Sequence, residues 1–275
     1  MVAVSVLMAV HNGSQFLEEA VASVISQSMT DWELVIVDDA STDATVEIIS
    51  GFDDTRVRHI RLATRSGLPT ALNRGIAECT GQLVARLDAD DLCVETRLEE
   101  QVAELDRRPT VGVLGSWARV IDEAGRELGT LEVPVGPANV YRSLRWRNAL
   151  IHPSVTFRRE LVLGVGGYDE RVLRYQDYEL WMRLAAVTKL DNVPRTLVAY
   201  RLHPAQLSRG RVSPLRETWP ITVGRRRLAA SNGESVIAAS LRNVAWWTVQ
   251  MANNRKRDRS QIILRNVSPR RSEDL

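Results

Sequence analysis

Gln82-Leu83-Val84-Ala85-Arg86-Leu87-Asp88-Ala89-Asp90-Asp91 is an apolar strand pattern that stops abruptly in acid. Successive side chains of an extended segment alternate faces, so Asp88 and Asp90 point the same way and Ala89 the other. Two carboxylates converging at the carboxyl end of a strand make half of a hard-oxygen cage, suited to a divalent cation that also holds phosphates. Three uncompensated acids repel one another, and a cation relieves that repulsion. The competing reading of the tetrad, taken alone, is a solvated acidic turn before a helix, with Asp91 or a neighbour as its N-cap. The surrounding chain decides between the two.

Upstream, strand and helix signals alternate. Val2–Val10 is a nearly continuous apolar run rich in β-branched residues, the mark of a strand buried on both faces. Phe16, Leu17, Ala20, Val21, Val24 and Ile25 then recur at helical spacing. Glu33–Val37 predicts a second strand that runs into Asp38-Asp39, and Ser41 or Thr42 is placed to cap a helix through Ala44, Val46, Ile48 and Ile49. Val57–Leu62 predicts a third strand, Leu68–Ala77 a helix and Gln82–Leu87 a fourth strand. Such repeats imply an α/β fold with a mostly parallel central sheet flanked by helices. Ligands of these sheets bind beyond the carboxyl ends of the strands. His11-Asn12, Asp38-Asp39 and Asp88-Ala89-Asp90 all fall there, which favours one shared site over three unrelated turns.

Past Pro109 the rhythm changes. Val111–Leu114 predicts a strand, Leu128–Val133 an edge strand, Val140–Trp146 a helix and Pro153–Phe157 a short strand behind His152. A glycine-rich loop, Gly164-Val165-Gly166-Gly167-Tyr168-Asp169, leads into a helix over Asp177–Ala186, and Val198–Leu202 predicts a last strand. From about Pro204 the chain reads as helical and basic, with breaks expected at Pro214, Pro220 and Asn232-Gly233. The expected organisation is a nucleotide-binding half over residues 1–115, an acceptor-binding half over 116–205 and a helical extension over 206–275.

Bulk properties narrow the class. At 275 residues and 44% hydrophobic side chains the chain has ample core for one large domain or two smaller ones. The apolar start lacks a basic flank and a small-residue cleavage site, no apolar run is long enough to cross a bilayer, and Cys79 and Cys93 lack metal-type spacing. A reduced, cytoplasmic protein is expected. The net charge of +2 hides an asymmetry: residues 201–275 hold 15 Arg and Lys against 5 Asp and Glu, whereas residues 1–200 hold 21 against 29. Arg225-Arg226-Arg227 and Arg255-Lys256-Arg257, interleaved with Trp219, Trp246 and Trp247, suit peripheral contact with an anionic membrane or dimerisation. Solvated helical faces whose tryptophans dock on the main domain are the alternative. No zinc-finger spacing, ribonucleoprotein signature or basic zipper is present, so a nucleic-acid partner is not expected.

The rim chemistry suits a sugar nucleotide. A carboxylate accepts hydrogen bonds from a base N–H and from ribose hydroxyls, a role for Asp38 or Asp39, whereas a diphosphate needs the cation that Asp88 and Asp90 would hold. No Gly-x-x-x-x-Gly-Lys-Ser/Thr loop follows a strand, and no Gly-x-Gly-x-x-Gly follows the first, so a backbone phosphate cradle is not indicated. An acid at a helix start beside a glycine loop, as Asp177 is, suits a catalytic base or a plain N-cap.

With these segments in order, residues 4 to about 209 resemble the GT-A glycosyltransferases, in particular glycosyltransferase family 2. Val4–Gly13 resembles the family's opening strand and loop, Leu34–Asp43 its nucleoside-binding segment and Leu87-Asp88-Ala89-Asp90-Asp91 its Asp-x-Asp motif. Gly166-Gly167-Tyr168-Asp169 with Gln176-Asp177-Tyr178-Glu179-Leu180-Trp181 is similar to its acceptor-side motif. The resemblance implies that the backbone at Ala9 and Val10, with Asp38 and Asp39, holds base and ribose. It places Arg65 near the base or phosphate, Asp88 against the ribose or metal-bound water, and Asp90 on Mn²⁺ or Mg²⁺. Asp177 matches the catalytic base and His203, in Tyr200-Arg201-Leu202-His203, a position near diphosphate and metal. His152 is a candidate for the acceptor pocket or an ordinary structural hydrogen bond, and Trp117 and Trp146 are candidates for an acceptor wall. Gln176 stands where the family often has Glu, and Arg65 where it often has Asn.

The implied activity is inverting, metal-dependent transfer of a single sugar from a UDP-, GDP- or dTDP-sugar to a glycan, lipid-linked or protein-linked acceptor. Absence of membrane spans and of a Gln-x-x-Arg-Trp motif argues against a processive synthase. A receiver domain would carry its acid pair after the first strand with a partner lysine, yet the only lysines are Lys189 and Lys256. A sugar-phosphate nucleotidyltransferase would open on a glycine- and arginine-rich loop, which His11-Asn12-Gly13-Ser14 is not. An inactive scaffold of the same fold is the remaining alternative.

Overall fold

The computed structural model describes residues 2–204, 206, 215–254 and 267–268. Strand β1 (Val4–Val10) is buried at all seven positions, as its unbroken apolar run requires. It is followed by α1 (Leu17–Ile25), β2 (Trp32–Asp38), α2 (Thr45–Ser50), β3 (Val57–Arg61), α3 (Leu68–Glu78) and β4 (Leu83–Arg86). These four strands are parallel in the order β4-β1-β2-β3, so all of them end on one rim. Val4, Val6, Met8 and Val10 face one apolar layer with Leu17, Val21 and Val24 of α1, while Leu7 and Ala9 face another with Ala71, Leu72 and Ile76 of α3. Helix α3 lies so close to the sheet that a Cβ on Gly75 would stand 2.2 Å from Leu7 Cδ1.

The second half mixes directions. It comprises β5 (Leu92–Cys93), α4 (Arg97–Arg107), β6 (Val111–Ile121), β7 (Glu127–Leu131), α5 (Pro137–Leu144), a 3₁₀ turn at His152–Ser154, β8 (Thr156–Arg158), α6 (Arg159–Gly164), α7 (Gln176–Leu184) and β9 (Lys189–Arg201). Strand β8 pairs antiparallel with both β4 and β6, which joins the two halves into one sheet. Strands β6 and β9, of 11 and 13 residues, run parallel through several register shifts. Both are far longer than the short runs expected at Val111–Leu114 and Val198–Leu202, because charged and polar residues here pair along the sheet and interrupt the apolar pattern. The C-terminal part contributes α8 (Leu215–Ser231), α9 (Val236–Asn254) and β10 (Val267–Ser268).

Three local expectations are corrected. Pro220 does not break the chain but lies inside α8, where the flanking Thr218 and Ile221 are buried; packing outweighs the lost backbone bond. Ser41 and Thr42 do not cap α2. Asp43 Oδ1 accepts from the Thr45 N–H at 3.1 Å, and the Ser41 hydroxyl accepts from the Asn12 N–H at 2.9 Å. The strand expected at an edge over Leu128–Val133 is flanked by β10, which pairs with Leu131 and Thr130. The expected break at Asn232-Gly233 does separate α8 from α9, whereas Pro214 and Arg255-Lys256-Arg257 lie outside the described residues.

The extension packs on the main domain. Ile221 and Leu228 of α8 join the apolar layer that holds Leu180, Trp181 and Leu184 of α7. Its outward side exposes Trp219 on α8 and Ile237, Leu241 and Val244 on α9.

Candidate active site

The rim loops are tightly cross-tied. Asn12 and Ala40, which follow β1 and β2, take φ values of 54° and 57°, in the left-handed region that non-glycine residues seldom occupy. Turning there lets Asn12 Oδ1 accept from the Thr42 N–H at 2.8 Å, while the Gly13 N–H donates to Thr45 Oγ1 at 2.9 Å. The Asp39 N–H donates to Val10 O at 2.8 Å, and His11 Nδ1 donates to Asp39 O at 2.8 Å. Ala9 and Val10 are buried beneath. The Asp39 carboxylate accepts from the Ser66 N–H at 2.6 Å and the Gly67 N–H at 2.8 Å, which draws the loop before α3, with exposed Arg65, over the end of β2. Asp38 is fully buried and accepts from the Ser41 N–H at 2.9 Å, with Arg61 Nε 3.5 Å away. Its carboxylate thus braces its own loop, whereas the buried Asp39 carboxylate is turned to the loop before α3.

Asp88, Asp90 and Asp91 form an acidic triad whose ligand oxygens lie within 4.8 Å of one another. Asp91 is no solvated N-cap: it is wholly buried, and its Oδ1 accepts from the Arg201 N–H at 2.8 Å while Oδ2 has no partner. Burial pushes the Asp91 carboxyl well above its ordinary range, and the neighbouring charges of Asp90 and Asp88 push it further. Asp88 is also raised, by burial first and by Asp90, although the Arg86 guanidinium bonded to it works in the opposite direction. Arg86 is itself wholly buried, with Nε and Nη1 unpartnered. Asp90 Oδ2 lies 2.8 Å from His203 Nε2, and the His203 ring packs against Phe16 at 5.0 Å. An all-oxygen donor set with an orphaned buried oxygen and three mutually repelling acids fits a hard divalent cation. Asp88, Asp90 and Asp91 would hold it, with His203 alongside.

Arg201 ties the triad to the fold. Its Nε donates to Asp90 O at 2.9 Å, Nη1 to Glu123 O at 3.0 Å and Nη2 to Glu19 at 2.6 Å, and the guanidinium lies 4.6 Å from the centre of the Phe16 ring.

Across the rim, α7 starts from Tyr175 at φ 60° and brings Asp177 to its first turn. Asn148 Nδ2 donates to Asp177 Oδ2 at 2.6 Å. Burial raises the Asp177 carboxyl, the backbone N–H groups at the start of α7 and the Asn148 amide lower it, and Asp88 raises it again, so the two acids share one electrostatic environment. The preceding glycine loop is clamped. Asn73 donates to Tyr168 O at 2.9 Å and accepts from the Tyr168 N–H at 2.7 Å, and a Cβ on Gly167 (φ 69°) would stand 2.5 Å from Asn73 Oδ1. Tyr168 in turn bonds His152, whose Nε2 lies 2.8 Å from its hydroxyl and whose ring packs edge-on against buried Trp181. Burial, then Arg86, drives the His152 pKa far down, so this imidazole is neutral.

The expected site residues therefore collect on one rim, with Asp38 turned inward. Trp117 donates its indole N–H to Val133 O at 3.0 Å, and Trp146 is half-exposed on the loop ahead of Asn148. Sequence reasoning missed Asn148, Arg86 and Arg201 and gave Asp91 no site role. Arg201 had one signal, its place two residues before His203; Asn148 had none, because only the folded loop brings it to Asp177.

A rim of parallel strand ends, an acidic triad and Asp177 in the same electrostatic environment agree with the family that the sequence resembles. Residues 5–164 match the sequence pattern of "Glycosyl transferase family 2", and the chain belongs to that family. It is 30% identical over 204 residues to the Escherichia coli UDP-Gal:alpha-D-GlcNAc-diphosphoundecaprenol beta-1,3-galactosyltransferase, a match covering 72% of this chain and 73% of that one. Solved structures show the same fold. S. aureus TarS (residues 1–349) in complex with UDP-GlcNAc superposes with a TM-score of 0.69 at 19% identity, covering 83% of this chain and 66% of that one. The Pyrobaculum calidifontis mannosyltransferase PcManGT with GDP-Man and Mn²⁺ gives a TM-score of 0.60 at 20% identity, covering 96% and 85%. The chain spans about two thirds of the length of several relatives it matches. Among the described residues no helix is long and apolar enough to cross a membrane.

Proposed function

We propose that the chain transfers a single sugar from a nucleotide-sugar donor to a hydroxyl of a glycan or lipid-linked acceptor, with inversion and with a divalent cation. The observation that carries this reading is the placement of Asp177, held at the start of α7 across the rim from Asp88, Asp90 and Asp91. One carboxylate on the acceptor side suits a single displacement: Asp177 takes the proton from the acceptor hydroxyl as its oxygen attacks the anomeric carbon. Burial raises the basicity of that carboxylate, which favours proton uptake near neutral pH. When bound, Mn²⁺ or Mg²⁺ would stabilise the charge of the departing nucleoside diphosphate.

The other residues prepare these groups. Asp39, with the backbone at Ala9 and Val10, would receive the base and ribose, and Arg65 lies on the loop above them. Asp88, beside the cation, would lie against the ribose or metal-bound water, and neutral His152 would border the acceptor pocket with Tyr168. UDP, GDP and dTDP donors are all in scope, as the named ligands UDP-GlcNAc and GDP-Man of the structural neighbours suggest. The diphosphoundecaprenol substrate in the relative's name supports a lipid-linked acceptor. Exposed Trp219, Ile237, Leu241 and Val244 with the basic C-terminal region suit contact with an anionic membrane bearing such a lipid. Anionic vesicles should co-sediment the protein; no sedimentation together with a dimeric mass would assign that face to a second copy.

The mechanism is tested with Asp177→Asn and Asp90→Ala. The first should abolish transfer while keeping Mn²⁺-dependent binding of a nucleoside diphosphate, and the second should lose only the cation-dependent part of that binding. An active Asp177→Asn variant, or a product with retained anomeric configuration, would sink the assignment. Nucleotide binding without turnover of any sugar nucleotide would favour the inactive scaffold.

A further inference from the structure

The loop between α5 and the 3₁₀ turn has no regular structure of its own, yet side chains from three other elements anchor it. Its Asn148 donates Nδ2 to Asp177 Oδ2 at 2.6 Å and accepts at Oδ1 from the Leu150 N–H at 3.3 Å, so both ends of the amide are assigned by their partners. The loop backbone is pinned on either side of Asn148. Ala149 O accepts from Asn192 Nδ2 at 3.0 Å, and Trp146 O accepts from Arg225 Nη2. Arg225 belongs to α8 and is 4% exposed, an uncommon place for a guanidinium. Its Nε donates to the Tyr178 hydroxyl at 3.0 Å and Nη1 to Asn243 Oδ1 of α9 at 3.3 Å, and the Tyr178 hydroxyl donates onward to Leu144 O. One buried cation thus joins both helices of the extension, the residue after Asp177 and the loop that bears Asn148.

We propose that Asn148 is a positioning residue for Asp177, and that Arg225 holds Asn148 in place, which makes the α8–α9 pair part of the apparatus that aims the base. The inference rests on reading Asp177 as that base. A carboxylate that rotates freely presents either oxygen to the acceptor. With Oδ2 held by Asn148, the remaining oxygen has one direction, and the fixed amide dipole stabilises the anion. Asp88 faces Asp177 from the end of β4, Tyr168 from the glycine loop and Tyr178 from α7, with Arg225 behind the Tyr178 ring at 5.4 Å. Among the side chains that hydrogen-bond to Asp177, Asn148 is the neutral donor that no other role in the proposed reaction accounts for.

The experiment compares Asn148→Leu, Arg225→Met and their combination with the parent chain, using donor turnover, Mn²⁺-dependent nucleoside diphosphate binding and the pH profile of kcat/KM. Asn148→Leu should lower kcat about 10- to 100-fold, the range that a hydrogen bond to a charged group supports, with donor KM within about twofold. The acidic limb of its profile should move to higher pH, since the lost bond favoured the anion. Arg225→Met should show the same displaced limb, and the double variant should be no slower than the slower single, because both changes act through one contact. Arg225→Lys, which keeps the charge but not the fork, replaces Arg225→Met if the latter fails to fold, with the same expectation. Parental kcat and an unmoved acidic limb in Asn148→Leu would overturn the inference. Losses that multiply in the double variant would overturn the Arg225 link. Asp177→Asn, run in parallel, separates the cases: if it is active the base reading itself falls, whereas an inactive Asp177→Asn beside a parental Asn148→Leu removes only the positioning role.

Discussion

Replacing Arg201 by Met tests whether the acidic triad is held by a buried cation or merely sits beside one. Arg201 is 1% exposed, and its guanidinium serves two backbone carbonyls, Asp90 O and Glu123 O, together with the Glu19 carboxylate. Methionine fills much of the volume against Phe16 but donates nothing. Each buried carbonyl left without a donor costs about 1–3 kcal/mol. Relief from burying a charge offsets part of that cost. The Glu19 partner is 62% exposed and returns to water, so its share is minor. A net loss of about 2–4 kcal/mol follows, which for a chain of this size lowers Tm by roughly 4–7 °C. The functional effect is separate and larger in consequence. Asp90 loses the tether that fixes its backbone, so the cation site is no longer pre-shaped. Thermal unfolding measured with and without Mn²⁺ plus UDP or GDP reads both effects, since a ligand bound only to the folded state raises Tm. The parent should gain stability with cation and nucleotide together, whereas Arg201→Met should start lower and gain little. Glu19→Ala is the control and should behave as the parent does. A variant that melts within about 2 °C of the parent and keeps the full cation-dependent gain would refute the reasoning.

Two further outcomes probe the frame around the site. Glu33 is nearly buried between β1 and β3. Burial alone would raise its carboxyl, but bonds from Ser5, Thr80 and Arg58 bring it down to about 2 from 4.5. Its folded pKa is depressed, so its stabilisation is complete above about 4.5 and is lost as pH falls toward 2; the shift corresponds to about 3 kcal/mol. Denaturant melts from pH 6 to pH 2 should therefore show a steeper acid loss in the parent than in Glu33→Gln, and parallel curves would discredit the linkage. Gly167→Ala forces a side chain into a left-handed conformation and against Asn73 Oδ1, 2.5 Å from the new Cβ. It should cost about 2–4 kcal/mol and lower turnover, because Tyr168 and His152 lose their clamp; an Ala variant with unchanged Tm would show that the loop relaxes freely.

Much of the first half could be read directly. Val4–Val10 and Leu34–Val37 are so nearly apolar that they predict strands of a doubly covered parallel sheet, and the polar and acidic residues that follow them mark the rim. The order of Asp38-Asp39, Asp88-Ala89-Asp90-Asp91 and Asp177 made the family recognisable before any coordinates, and the match to residues 5–164 agrees. The second half resisted. Strand β9 runs for 13 residues through Asp191, Asn192, Pro194 and Arg195, a pattern that no period-2 alternation predicts. Its pairing with β6 overrides local propensity, since ladder hydrogen bonds and neighbours on both faces stabilise residues that would not form a strand alone.

The same division runs through the site. The chemical identity of the groups (three acids at a strand end, one acid at a helix start, a histidine near the last strand) is written in the chain, because several polar clusters falling at the carboxyl ends of parallel strands share one rim. What those groups do was decided by contacts between residues far apart in sequence. Asp38 and Asp39 are neighbours, yet one braces a loop and the other meets the amides of Ser66 and Gly67. Asp91 passes for a helix cap until Arg201, 110 residues away, donates to it in a fully buried position. Asn148 meets Asp177, and Arg225 joins both to the C-terminal helices, only after the sheet and its two helical layers have closed. Residue type sets which bonds and charges are available, and burial with distance sets which of them form; only the folded chain supplies those two quantities.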